Sequence, residues 1–151
     1  MKLVIFIALM SFFAYSQAQD TVVTYHKNGK KSGEGVMKNG AEYGRWKYYD
    51  VNGNLKQEID FVNGIVHGKV IYYYANGVKQ NEGEFKYALQ RGNFQEWYTN
   101  GQLKINGYYK LNDKDSIWTY YYPTGRKKKN SPAKTAIVCC NSSGFLTENK
   151  L

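Results

Sequence analysis

The chain has 151 residues, with 21 Lys/Arg against 12 Asp/Glu, a formal net charge of +9, and aromatic side chains at 17% of positions. The charge is unevenly placed: residues 19–125 hold 14 basic and 11 acidic side chains, whereas residues 126–151 hold six and one. A nucleic-acid binder needs cation density along its binding face, so the balanced body disfavours nucleic acid as a partner.

Residues 1–18 read as a secretory signal. Lys2 supplies the positive start, Leu3 to Ala14 the apolar stretch, and Ser16-Gln17-Ala18 a small-x-small cleavage site before Gln19. The apolar run is shorter than the ~20 residues of a membrane-spanning helix. No cysteine lies near the cleavage point, which argues against a lipid anchor. The expected mature protein is secreted or held in the periplasm or cell envelope.

From Tyr25 onward the chain repeats. Asn28-Gly29, Asn52-Gly53, Asn76-Gly77 and Asn100-Gly101 recur every 24 residues, Thr124-Gly125 falls on the same count, and Tyr25, Tyr49, Tyr73, Trp97 and Tyr121 stand four places before each glycine. An ungapped period of this length marks one copied structural unit. The copies are 25–48, 49–72, 73–96 and 97–120, with a partial fifth at 121–125. Thr21 to Thr24 form a β-prone lead-in that can cap one edge.

Each copy spells two strands and two turns. Asn-Gly between β-prone runs predicts a type I′ hairpin turn, placing Gly29, Gly53, Gly77, Gly101 and Gly125 at turns. After it, Leu55, Gln57, Ile59 and Phe61 alternate with Lys56, Glu58 and Asp60, the period-2 signature of a half-buried strand. A second turn is marked by Gly40 and Gly44 in copy one and by Gly64 and Gly68 in copy two. Short aromatic strands follow, such as Trp46 to Tyr49 and Trp118 to Tyr121. No stretch shows helical spacing with caps. The predicted fold is all-β: an elongated, twisted antiparallel meander of nine or ten strands, a single-layer sheet of stacked β-hairpins stabilised by aromatic ladders.

A 24-residue step sets like above like. Trp46, Val70, Phe94 and Trp118 are expected to form one ladder, with Tyr48, Tyr72, Glu96 and Tyr120 beside it. Tyr49, Tyr73, Trp97 and Tyr121 then point the opposite way along their strands. Either the sheet is aromatic on both sides, or this row packs against its own turns; the fixed spacing to glycine favours the turns. If exposed, the row is the best binding surface in the chain, and these four residues are the partner-binding candidates.

Signals for catalysis are poor. Glu34, Glu58 and Glu82 share a repeat position and read as a solvated row, and a copied carboxylate is a weak catalytic candidate because catalysis needs a distinct partner at one place. Asp113 and Asp115 are assigned to the second turn of copy four. His26 and His67 occupy different repeat positions without spaced ligands, so no metal or other cofactor is expected. Arg126, Lys127, Lys128 and Lys129 open a basic, irregular tail (126–151) and are candidates for an anionic surface. Ile137-Val138 is expected to lie against the last strand, so truncation after Gly125 is expected to raise self-association through the sheet edge. The adjacent Cys139 and Cys140 rarely bridge each other, because the small ring strains the peptide between them. Asn141-Ser142-Ser143 matches a glycosylation acceptor, relevant only to a eukaryotic secretory route.

The pattern [YW]-x-x-N-G-x-[LKV], followed by a glycine-bounded turn and an aromatic strand, resembles the MORN repeat variant family, which includes bacterial proteins labelled YwqK-type antitoxins. The resemblance covers about Tyr25 to Gly125. It implies an elongated hairpin sheet acting as a scaffold or binding surface, and the antitoxin label implies neutralising a toxin by direct binding. The export signal does not suit a cytoplasmic antitoxin. The expected function is therefore an exported, non-enzymatic scaffold that engages a protein through its aromatic surface. The alternative is binding of a polysaccharide or anionic lipid surface.

Overall fold

A computed structural model describes residues 19–132, so the expectations for the signal segment, Ile137-Val138, Cys139, Cys140 and Asn141 to Ser143 fall outside the described residues. Ten strands follow one another: β1 (Gln19–Tyr25), β2 (Lys31–Lys38), β3 (Ala41–Tyr49), β4 (Leu55–Val62), β5 (Ile65–Tyr73), β6 (Lys79–Lys86), β7 (Leu89–Trp97), β8 (Leu103–Lys110), β9 (Asp113–Tyr121) and β10 (Lys127–Pro132). They form one antiparallel sheet in sequence order, β1 to β10. The predicted meander is the fold. One boundary moves: the sheet does not stop at Gly125, because Lys127 to Pro132 pair with β9. The β9 edge, which Ile137-Val138 was expected to cover, is covered by β10.

The two turns of each copy differ in kind, and the sequence reading assigned type I′ geometry to the wrong one. At the Asn28-Gly29 turn only the glycine has positive φ (80°). The His26 amide donates to the Lys30 carbonyl (2.8 Å) and the Gly29 amide to the His26 carbonyl (2.9 Å). This is a three-residue loop, a type I turn closed by a left-handed glycine. Gly53, Gly77, Gly101 and Gly125 repeat it with φ between 81° and 89°. The type I′ turns lie at the opposite end of the strands, where both central residues have positive φ: Asn39-Gly40, Asn63-Gly64, Tyr87-Ala88 and Leu111-Asn112. Asp113 and Asp115 are therefore strand residues of β9, and the Asp115 carboxylate accepts the Ser116 amide (2.8 Å).

A third irregularity recurs inside the sheet. In each pairing of an even strand with the following odd one, a single even-strand residue faces three on its partner; Asp60, for example, spans the gap between the Ile59↔Val70 and Phe61↔Val66 pairs. Gly44, Gly68, Gly92 and Ser116 take positive φ at these bulges. Bulges leave an amide unpaired, and here the Asp60 carboxylate accepts that of Lys69 (2.9 Å). Gly68 has no alternative: at φ +122° an added Cβ would stand 2.7 Å from Asp60 Cβ.

The three-residue turns are stitched together. His26 Nε2 meets the Tyr49 carbonyl (3.0 Å), and the Tyr74 and Tyr98 hydroxyls donate to the carbonyls of Trp97 and Tyr121 (2.9 Å each). The amides of Asn28, Asn76 and Asn100 donate to the carbonyls of Val51, Thr99 and Pro123 (2.8, 3.0 and 3.1 Å). The second turn breaks the series. Asp50 holds the place of Tyr74, and an ionised carboxylate cannot donate to a carbonyl. It instead accepts the amides of Asn52 and Asn54 within its own turn (2.8 and 2.9 Å).

One face of the sheet carries the apolar row. Trp46, Val70 and Trp118 are buried on alternate strands, Phe94 continues the series, and Val22 of β1 opens it opposite Gly35. The intervening strands present Gly35, Ile59, Gly83 and Gly107, so large lies beside small and medium beside medium. An added Cβ on Gly35 would stand 2.2 Å from Trp46, and one on Gly107 2.4 Å from Trp118. The Trp118 ring lies over Gly107, stacks on Phe94 (centroids 5.7 Å) and meets Tyr109 edge-on (5.0 Å). The predicted row exists, with ring contacts at Trp46–Tyr48 (6.1 Å) and among Phe94, Tyr109 and Trp118, and glycines make room for its rings.

Candidate functional site

The opposite face is built by the residues between. Along β3, Arg45 and Lys47 alternate with Trp46, and they stand directly opposite Asp60 and Glu58 of β4. Strand alternation puts Tyr49, Tyr73, Trp97 and Tyr121 on this side. The sheet is thus aromatic on both faces, and the expected packing of this row against its own turns is corrected. Tyr25 is 65% exposed, and its four counterparts are half-buried.

The surroundings of the row change along the sheet. At the β2–β6 end the glutamates expected to be a solvated row are half-buried and paired. Glu34 binds Lys31 (2.7 Å) and accepts the Tyr49 hydroxyl. Glu58 accepts from Tyr73 (3.3 Å) and lies 3.8 Å from Arg45, which grips Asp60 through two hydrogen bonds of 2.8 and 3.0 Å. Glu82 takes both Lys69 and Lys79 at 2.6 Å. Electrostatics follow this geometry. The Lys31 ammonium and the Tyr49 hydroxyl hold Glu34 below its usual range. Burial pushes Asp60 up, but the Arg45 guanidinium and the Lys69 amide outweigh it. Glu82 is likewise lowered, its burial outweighed by the two lysines. Burial, then Glu34, pushes the Tyr49 phenol up to about 12.

At the β7–β9 end the charges at these repeat positions stop, although Lys104 still pairs with Glu96 (2.5 Å) and Asp115 stands opposite Tyr108. The positions equivalent to Arg45, Lys47 and Glu58 become Asn93, Gln95 and Asn106, then Ile117 and Thr119. Gln95 stands opposite Asn106, which stands opposite Thr119. None of the side chains of Asn93, Gln95, Asn106 and Thr119 makes a hydrogen bond among the described residues. Around them lie Trp97, Tyr121, Tyr108 (37% exposed) and Ile117 (62% exposed). Lys79, already bound to Glu82, reaches over the Trp97 ring (5.8 Å) at the boundary.

The partner-binding candidates therefore divide. Tyr49 and Tyr73 are tied into the ionic network, whereas Trp97 and Tyr121 border the uncharged side chains of Gln95, Asn106 and Thr119. Sequence reasoning missed Tyr108, Ile117 and the amides between them; the loss of charge at successive 24-residue positions was the available signal. Of the anionic-surface candidates, Arg126, Lys127 and Lys128 are exposed, Lys128 lies over the Tyr122 ring (5.4 Å), and Lys129 pairs with Tyr120 through its backbone. His26 serves the turn stitching, and His67 packs edge-on against Tyr87 (4.8 Å). An open cleft of about 350 Å³ lies beside Gly68 and Gly92, lined among others by His67, Lys69, Glu84, Lys86 and Arg91. Among the described residues no group of three or more His, Cys, Asp or Glu converges as a metal-ligand set.

Three consecutive segments, residues 42–63, 66–87 and 90–111, match the MORN repeat variant family. Each matched segment is one hairpin: β3–β4, β5–β6 and β7–β8. The family unit therefore starts one strand earlier than the copies counted from the tyrosines, and the bulge glycine and aromatic strand precede the Asn-Gly turn. No curated protein matches the chain. Three adjoining repeats of one type thus lie at the centre of a sheet that continues their period on both sides, and residues 42–111 are built of MORN variant repeats.

Proposed function

We propose that the protein is an exported, non-enzymatic binding scaffold that holds a protein partner on the β7–β9 end of its polar face. MORN repeats are generally protein- or membrane-binding modules. The observation that carries the reading is the contrast within one face. From β2 to β6 the carboxylates of Glu34, Glu58, Asp60 and Glu82 are each bound by a lysine or arginine, whereas Asn93, Gln95, Asn106 and Thr119 near Trp97 and Tyr121 are uncharged and unbonded among the described residues, beside exposed Tyr108 and Ile117. Interface cores are depleted of charge and enriched in aromatics, and hot spots are enriched in tryptophan and tyrosine, along with arginine. Rings fixed on a sheet lose little rotamer freedom on docking. Export is supported by the leader-like segment before Gln19. Antitoxin- or immunity-like neutralisation is the form of protein binding that the YwqK-type resemblance suggests.

The test is affinity capture from envelope extract. The wild-type chain retains a partner, Trp97→Ala and Ile117→Asp lose it, and Tyr49→Phe keeps it. Retention of nothing, or of a partner indifferent to both patch variants, refutes the reading. A second reading rests on exposed Arg126, Lys127 and Lys128: an anionic membrane surface, where each basic residue contributes about 1 kcal/mol. Binding to anionic vesicles that disappears at high salt supports it. Salt-insensitive retention of a neutral polysaccharide points instead to the aromatic face.

A further inference from the structure

The two edges of the sheet are built differently. β10 carries Lys127, Lys128 and Lys129 and ends on Pro132, and its ladder with β9 is interrupted between Lys127 and Lys129. Lysines, a residue without an amide hydrogen and an irregular ladder are the devices by which natural sheets refuse another strand. β1 has none of them over its first six residues. It reads QDTVVTY, with one charged residue and no proline or glycine, and it pairs with β2 without interruption from Gln19 to Thr24. Six of its seven residues are exposed. Among the described residues no strand lies on its outer side.

We propose that β1 is a strand-addition site and that its occupant is β1 of a second copy of this chain, paired antiparallel about a two-fold axis through Val22. Val22 is the middle residue of the strand, so this register matches all seven positions: Gln19 with Tyr25, Asp20 with Thr24, Thr21 with Val23. The register also preserves the faces. Val22 is the half-buried first member of the row that runs through Trp46 to Trp118, and contact between the two Val22 side chains carries that row into the second sheet. No like charges meet, because Asp20, the strand's only ionic side chain, comes to lie beside Thr24. Head-to-tail contact of β10 with β1 would instead continue without closing and give a fibre; it is the contact that the lysines and Pro132 oppose. The two-fold arrangement leaves a guarded β10 at each outer end. A single strand pair falls short of the ~1,000 Å² typical of a stable interface, so the association is reversible and concentration-dependent. It is independent of what the polar face binds.

Sedimentation velocity on the full exported chain over a concentration series tests this. Wild type passes from monomer to dimer and forms nothing larger. Val22→Lys sets like charges opposite each other and weakens association by about tenfold or more; Val22→Glu does the same, and an equimolar mixture of the two recovers the dimer. Should Val22→Lys unfold the edge by circular dichroism, the double variant Thr21→Lys/Val23→Lys places lysines at two exposed positions that face each other across the axis. A wild type monomeric at every concentration, a dimer indifferent to these charges, or growth beyond two copies overturns the proposal.

Discussion

Alanine at three glycines of the apolar row separates strand propensity from ring packing. None of Gly35, Gly83 and Gly107 has positive φ, so alanine suits the backbone at each and removes about 0.5–1 kcal/mol of unfolded-state freedom. The spaces differ. At Gly107 the new methyl stands 2.4 Å from Trp118, a ring only 2% exposed and held between Phe94 and Tyr109. The ring must retreat by more than an ångström against Phe94, Tyr109 and the Lys114 ammonium that lies over it (4.2 Å), and such overpacking costs about 1–3 kcal/mol. The net loss is centred near ~1 kcal/mol and reaches ~2.5, and each kcal/mol lowers Tm by roughly 3–6 °C for a chain of this size. Gly35→Ala, at 2.2 Å from Trp46, behaves alike. At Gly83 the nearest atom is Gln90 Nε2 at 3.0 Å, the end of a flexible side chain, and Phe94 is 3.6 Å away, so Gly83→Ala is neutral or slightly stabilising. Thermal melts followed by tryptophan fluorescence decide the matter, with Trp118→Phe as the second arm of a double-mutant cycle. If Gly107→Ala melts with or above wild type, or all three alanines behave the same, the account of ring over glycine is wrong.

Four further outcomes follow from local geometry. Ala88 sits at φ +62° in a type I′ turn, and Ala88→Gly relieves about 1 kcal/mol of left-handed strain, visible as a higher urea midpoint. Asp60 is lowered in the fold by Arg45 and the Lys69 amide against its own burial, so its contribution is present above the unfolded carboxylate value near ~3.9 and is lost as pH falls through the lower folded value. Asp60→Asn accordingly destabilises at neutral pH and less at strongly acid pH, by denaturant midpoints. Tyr49 is raised to about 12, so its stabilisation holds below the free phenol value near ~10 and is lost as pH rises through the folded one; Tyr49→Phe removes the latest phase of the tyrosinate absorbance titration. Asp50→Tyr supplies the missing donor to the Tyr73 carbonyl and is expected to add up to about 1 kcal/mol, read as slower amide exchange at the second turn.

Much of this was legible because the 24-residue period fixes which residues lie side by side, and ten strands in sequence order follow from it. Turn geometry was not legible from the dipeptide. Asn28-Gly29 and Asn39-Gly40 look alike, yet only the second is type I′, because loop length, set by where strand pairing resumes, decides which residues take positive φ. The orientation of the Tyr49 row was hidden for a different reason. Its partner is a glutamate 15 residues earlier, Glu34 for Tyr49 and Glu58 for Tyr73, and a charged residue at a repeated position was taken for a solvated one. Gly35, Gly83 and Gly107 had no role assigned from sequence, although each lies against a ring one strand later. The Lys127 to Lys129 run looked like tail composition, whereas it forms a strand once β9 offers an edge.

The pairing of each ring with the glycine one strand before it also bears on how such a chain can grow. Trp46 leans on Gly35, Phe94 on Gly83 and Trp118 on Gly107, so each couple sits inside one duplicated block. A whole 24-residue block can be inserted or deleted without stranding a tryptophan against a bulky neighbour, whereas an exchange of single strands would place Ile59 where Trp118 needs empty space. Recombination in register is therefore the cheap route to longer and shorter descendants, and their lengths should step by 24.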